Sequence, residues 1–143
     1  MIFLGGTVGS NNWRTEIVIP ALLERGIPET ILFNPVVEHW GPKEQENEDE
    51  VKRSARYLLY VLASPDPQGS TANISAYSLV EATMHLYDAP ERTLVLLDTT
   101  GMPKHTAKAM TKAVKDLRQR FPAAPIFDDY EDVIDFLVLN LSS

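Results

Sequence analysis

A glutamate set among apolar neighbours is the first chemical feature of this sequence. Glu81 stands between Leu79, Val80, Ala82 and Thr83, on a stretch whose pattern predicts a helix over residues 75–88. Near the amino end of a helix two effects on such a carboxylate oppose each other. Desolvation favours its neutral form, while the helix dipole favours the anion. A carboxylate so placed suits attack at an anomeric carbon; the plainer reading is a glutamate on a helix surface. Asp66 lies in the preceding loop, outside any helix, either as a proton donor to a leaving base or as the cap of a turn. Ser70, Thr71, Asn73, Ser75 and Ser78 crowd the amino end of the same helix. Unpaired amides there favour a phosphate or sugar hydroxyls, although one or two of these residues also read as ordinary N-caps.

Gly5, Gly6, Thr7 and Gly9 follow the first apolar run. Glycines at that point let a ligand approach the backbone closely, or simply form a tight turn. The run matches neither the dinucleotide fingerprint nor a phosphate-binding P-loop, which needs a lysine. His39, His85 and His105 show no ligand spacing. His85 follows Glu81 by four residues, as a sharer of its face or as a surface pair. No metal site is expected, no cofactor is implied, and the absence of cysteine removes thiol and zinc-thiolate chemistry.

Five strands and five helices are needed to position these groups. Residues 1–4, 30–33, 57–63, 93–97 and 126–127 read as strands, the third and fourth apolar throughout, as parallel strands buried on both faces are. Helical spacing runs over residues 13–25, with Trp13, Ile17 and Ala21 on one face and Pro20 inside; Pro20 is expected to kink it or to shift its start towards residue 17. Residues 43–56 are dense in charge, with Glu48/Lys52 and Asp49/Arg53 four apart, and read as a solvated helix. Residues 104–121 place Met110, Val114, Leu117 and Phe121 on one stripe. Asp128 or Asp129 caps a last helix with a stripe from Tyr130 to Leu141.

Strict β-α alternation implies a parallel sheet with helices on both faces. The expected fold is a single domain over residues 1–143, a three-layer α/β sandwich of the flavodoxin-like kind with strand order 2-1-3-4-5. Ligands of such sheets bind beyond the carboxyl ends of the strands, where the order reverses, here between the first and third strands. Loops 5–13 and 64–75 meet there.

Composition narrows the partners. The net charge of -7 speaks against nucleic acid, because phosphate binding needs a basic patch, and disfavours an anionic membrane surface. No apolar run approaches the ~20 residues of a membrane span. The opening residues carry no basic stretch before their apolar run and do not read as a signal peptide. A cytoplasmic location is the resulting expectation.

Several segments together resemble a known family. Phe3-Leu4-Gly5-Gly6-Thr7 with Asn12-Trp13-Arg14, Phe33-Asn34-Pro35-Val36-Val37 with Trp40, Tyr57-Leu58-Leu59-Tyr60-Val61, and Ala76-Tyr77-Ser78-Leu79-Val80-Glu81-Ala82 look like the nucleoside 2-deoxyribosyltransferase-like proteins. The resemblance spans residues 2 to about 97. It implies a Rossmann-like fold, N-glycosidic bond chemistry and a glutamate nucleophile attacking C1′, here Glu81. It further implies that Gly5, Gly6 and Thr7 wrap the sugar and nucleobase, and that Asn34 and Trp40 border the pocket. Trp13, Asn73, Ser75, Tyr77 and Ser78 join the expected substrate-binding set. A dimer-based homo-oligomer is also implied, and Trp13, Trp40 and Tyr87 are expected to be partly exposed.

Two departures from the family accompany the likeness. The family's transferases carry an Asp six residues before the nucleophile, where this chain has Ser75; the related monophosphate-cleaving enzymes use a Ser for the phosphate. The Asp that the family often places at the end of the third strand is replaced by Ala63-Ser64-Pro65, with Asp66 two residues beyond. The expected substrate is therefore a nucleoside or its 5′-monophosphate, with Glu81 and Asp66 as catalytic pair. A nucleotide-binding or sensing module without turnover and a TIR-like NAD-cleaving enzyme are the alternatives. Glu81 is expected to be at least partly buried and to open into the largest pocket at the strands' carboxyl edge, lined by Gly5 to Thr7 and residues 64–78.

Overall fold

The computed structural model describes residues 1–68 and 74–141. Five parallel strands, β1 (Ile2–Gly6), β2 (Leu32–Phe33), β3 (Tyr57–Ala63), β4 (Thr93–Asp98) and β5 (Ile126–Phe127), form one sheet in the order β2-β1-β3-β4-β5. The α/β class and the strand order are those expected from the alternation. In register, Gly5 of β1 lies beside Tyr60 of β3, and Gly6 beside Val61. Both edge strands are two residues long, too short to template pairing with another chain.

Side-chain alternation along each strand divides the core in two. Ile2, Leu4, Leu59, Val61 and Leu96 enter one layer, against Val18, Leu22 and the last helix, α5 (Tyr130–Leu141). Phe3, Leu58, Tyr60, Leu62 and Val95 enter the other, under α2 (Pro42–Ser54), α3 (Ala76–Asp88) and α4 (Lys104–Arg120). Full burial of a leucine such as Leu59 or Leu62 contributes roughly 1.5–3 kcal/mol.

Helix by helix, the pattern needs two corrections. The first helical segment begins as a π-helix, Arg14–Val18, and becomes α-helical at α1 (Ile19–Glu24), with Pro20 in its first turn. A π turn holds an extra residue. The buried stripe therefore steps from Trp13 to Val18 and then Leu22, leaving Ile17 exposed and Ala21 partly covered. Trp13, expected to be partly exposed, is 1% exposed.

The second correction lies in α2. Arg53 pairs with Glu50 at 2.6 Å rather than with Asp49, whose carboxylate accepts from Gln45. Lys52 is buried instead of solvated. Elsewhere the stripes hold: Met110 and Val114 are buried on α4, with Phe121 just past its end. Asp129 accepts from the Asp132 amide at 2.8 Å and caps α5.

Candidate active site

The carboxyl end of β1 is built to carry no side chain. A Cβ at Gly6 would lie 2.2 Å from the Val61 carbonyl oxygen, and its φ of +111° belongs to glycine. A Cβ at Gly5 would meet the rings of Phe3 at 2.6 Å and Tyr60 at 2.7 Å. Beyond them, Thr7 stitches β1 to β3. Its amide donates to Val61 O, while its hydroxyl donates to Ala63 O and accepts from Ala63 N, both at 2.9 Å. The Trp13 indole donates to Thr7 O at 2.9 Å. Arg14 donates to Leu4 O, Thr7 O and Gly6 O at 2.7, 2.8 and 3.1 Å, its guanidinium 4.3 Å from the Trp13 ring centre. Burial lowers the Arg14 pKa to about 10, and the negative charge of Glu48 acts in the opposite direction. Trp13 and Arg14 thus hold the glycine edge in place, and Arg14 also lines the cleft above that edge.

Above this edge lies a cleft of about 300 Å³. Gly5, Gly6 and Phe3 contribute from β1, Pro35 to Val37 and Trp40 from the β2–α2 loop, Glu48 from α2, and Ser75, Tyr77, Ser78 and Glu81 from α3. Below it runs an aromatic row: Phe33 stacks on Phe3 at 5.9 Å, Phe3 tilts against Tyr60 at 6.1 Å, and Tyr60 stacks on His85 at 5.7 Å.

Charge is concentrated at one wall. Lys52 Nζ lies 2.7 Å from Glu81 Oε2 and 3.1 Å from Glu48 Oε1. Glu81 is 8% and Lys52 7% exposed. Burial alone would lower the Lys52 pKa, but hydrogen bonds and charge from Glu81, and then from Glu48, outweigh it and raise the value above that of free lysine. Arg92 donates to Lys52 O and Ala55 O, fixing the end of α2 that presents the lysine.

Two tyrosines and a histidine respond to this wall. Among the described residues the Tyr60 hydroxyl is buried with no hydrogen-bond partner of good geometry; burial, and then the charge of Glu81, push its pKa far above the usual phenol value. The exposed Tyr77 hydroxyl is also raised, first by Glu81. Burial depresses the pKa of His85, against the charge of Glu81.

The expected site residues divide into three groups. Glu81, Gly5, Gly6, Trp40, Ser75, Tyr77 and Ser78 meet at the cleft. Ser75 and Ser78 also serve each other, since the Ser75 hydroxyl accepts from the Ser78 amide and hydroxyl, both at 3.3 Å, and caps α3. Thr7 and Trp13 support the cleft from within the core rather than line it, because their polar atoms are already engaged by backbone. Asn34 lies in a small adjoining groove, its side chain accepting from the Val36 amide at 3.0 Å. Asp66 is absent from the cleft lining; its carboxylate accepts from the Ser10 hydroxyl and the Gln68 amide, the cap of a turn. Ser70, Thr71 and Asn73 fall outside the described residues.

Glu81 is buried and opens into this cleft at the strands' carboxyl edge, while two other concavities of the molecule have larger volumes. An open groove beside Tyr87 and Phe121 has about 530 Å³, and one of about 400 Å³ reaches Glu81 and Lys52 from their other side, past Asp49, His85 and Arg92. No group of three His, Asp or Glu side chains among the described residues could hold a metal ion. No helix among them is long and apolar enough to cross a membrane.

Glu48, Lys52, Arg14 and Tyr60 were not among the expected site residues. A signal for the first two was present: residues 48, 51, 52 and 55 are spaced i, i+3, i+4, i+7, so the apolar Val51 and Ala55 bring Glu48 and Lys52 to the protein-facing side. Arg14 and Tyr60 gave none, since a cation beside a tryptophan and a tyrosine in an apolar strand read equally well as surface and core. Neither a protein-family model nor a curated protein matches this chain, so its function is read from the geometry of this site.

Proposed function

We propose that the chain is a nucleoside 2-deoxyribosyltransferase-like enzyme that cleaves or transfers the N-glycosidic bond of a nucleoside or its 5′-monophosphate, with Glu81 as nucleophile. One observation carries the reading: a buried glutamate at the wall of a cleft whose edge, Gly5-Gly6, is bare backbone at the reversal point of a parallel sheet. Bare backbone admits a sugar ring close to the strand end. The half-exposed Trp40 offers a face for a nucleobase. About 300 Å³ is the lower end of the range for small-molecule sites, which suits one nucleoside better than a dinucleotide and disfavours NAD.

The position of Asp66 favours a second reading, a nucleotide-binding module without turnover, because the expected proton donor is engaged in a turn away from the cleft. Incubation with a panel of deoxynucleosides, their 5′-monophosphates and NAD separates the readings. Release of free base by the wild type and not by Glu81→Gln supports the enzyme. Saturable binding without release supports the module, and release of nicotinamide alone supports the NAD reading.

The same proposal includes a dimer-based homo-oligomer. Tyr77, Val80, Met84 and Tyr87, all more than half exposed, follow one another along α3 and supply apolar area for a partner. A monomer by light scattering at micromolar concentration overturns this part.

A further inference from the structure

If Glu81 is the nucleophile, the reaction needs a second group to move a proton, and Asp66 does not line the cleft. Glu48 does. Its Oε1 and the Oε2 of Glu81 share Lys52 Nζ at 3.1 and 2.7 Å. The two oxygens are therefore at most about 6 Å apart, a bound that admits the ~5–5.5 Å at which paired carboxyls of retaining glycoside hydrolases face one bond. One lysine between two carboxylates leaves one negative charge, which a single proton neutralises. Lys52 on α2 bridges Glu48 to Glu81 on α3, and the charge of Glu48 acts on Tyr77 of α3, Tyr60 of β3 and Arg14 at the cleft. Beside them, the buried Tyr60 hydroxyl has no hydrogen-bond partner of good geometry among the described residues and lies in the field of Glu81 and Glu48.

We propose that Glu48 is the acid–base residue of this site, a role that rests on the glycosidic reading above. In the first step a Glu81 oxygen bonds to C1′ and the C1′–N bond breaks. Its electron pair stays on the nucleobase, which takes the proton of the Glu48 carboxyl group. In the second step the oxygen of water bonds to C1′ and the C1′–Glu81 bond breaks, returning its pair to the carboxylate. Glu48 accepts the proton that the water loses, and both residues end as they began. A second nucleobase in place of water gives transfer by the same two steps.

The test compares Glu48→Gln with wild type on two substrates. One is an ordinary deoxynucleoside. The other is 4-nitrophenyl 2-deoxyribofuranoside, whose nitrophenolate departs without a proton. Glutamine keeps a hydrogen bond to Lys52, and circular dichroism checks the fold. Base release from the deoxynucleoside should fall roughly 10²–10⁴-fold. The first turnover of the nitrophenyl substrate should stay within a few-fold of wild type, as a stoichiometric burst followed by slow turnover. With Glu48→Ala, added azide should restore turnover of the nitrophenyl substrate and yield the glycosyl azide. Equal losses on both substrates, or no loss on either, overturn the role of Glu48 and leave the glycosidic reading standing. A wild-type chain that acts on neither substrate nor any member of the nucleoside panel overturns that reading, and Glu48 with it.

Discussion

Helix α2 carries two ion pairs of similar chemistry. Glu48 and Lys52, four residues apart, have side chains 13% and 9% exposed, and Lys52 goes on to bind Glu81. Glu50 and Arg53, three residues apart, are 65% and 68% exposed and form no other ion pair among the described residues. Both are spacings at which helix side chains meet. The difference is rotation about the helix axis: Val51 and Ala55 bury one face in the core, and Glu48 and Lys52 stand on that face. An exposed pair gains little because water screens it. A sheltered pair must offset desolvation, and each member then depends heavily on the other. Spacing alone therefore does not distinguish a solvated pair from part of a site.

The largest effect that sharpens this contrast is on activity. Glu81→Gln should leave the circular dichroism spectrum unchanged and lower base release by about 10³-fold or more, because an amide does not replace a carboxylate nucleophile. Retained activity would make the sheltered pair a structural feature.

Stability comes next. Lys52→Met leaves Glu48 and Glu81 facing each other without their shared cation. The expected loss is about 2–4 kcal/mol, somewhat below that for a fully enclosed pair because the cleft admits water. Urea denaturation measures it. A loss as small as that of a surface substitution would erase the distinction between the two pairs.

A smaller effect is its pH dependence. The pKa of Lys52 is raised in the folded chain, so the folded state holds this proton more tightly than the unfolded one. The stabilisation is complete below the ordinary lysine pKa near 10.4 and is lost as pH rises through the higher folded value. The urea midpoint of wild type relative to Lys52→Met should therefore be constant from pH 6 to 9 and should narrow above about pH 10. A difference that widened there would reverse the assigned direction.

The smallest effect belongs to the exposed pair. Arg53→Met should leave the urea midpoint within error and its salt dependence nearly flat. A clear loss would mean that Arg53 does more than its ion pair with Glu50 shows.

Much of this architecture was legible in the chain because burial periodicity is a local property. The apolar runs of β3 and β4, the stripe of α4 and the alternation of elements each depend on neighbours within a few residues. Together with right-handed crossover they lead to the order 2-1-3-4-5. Glu81 was legible for the same reason, as a carboxylate amid apolar residues. The first helix was misphased because a π turn changes the residue count per turn, and its signal, Trp13 followed by Val18 and Leu22, departs from the regular spacing.

What the sequence determined by itself was the set of elements, their order, and the glycines and glutamate that come to the sheet's carboxyl edge. Only the tertiary structure decided which polar groups share the cleft. Lys52 and Glu81 are 29 residues apart, and Thr7 and Ala63 are 56. No local pattern encodes such pairings, since they depend on how α2 and α3 pack side by side over β1 and β3. The same packing left Asp66, near Glu81 in sequence, capping a turn with Ser10. Hydrogen bonds and charges act over a few ångströms, and the fold rather than chain order sets which groups come that close.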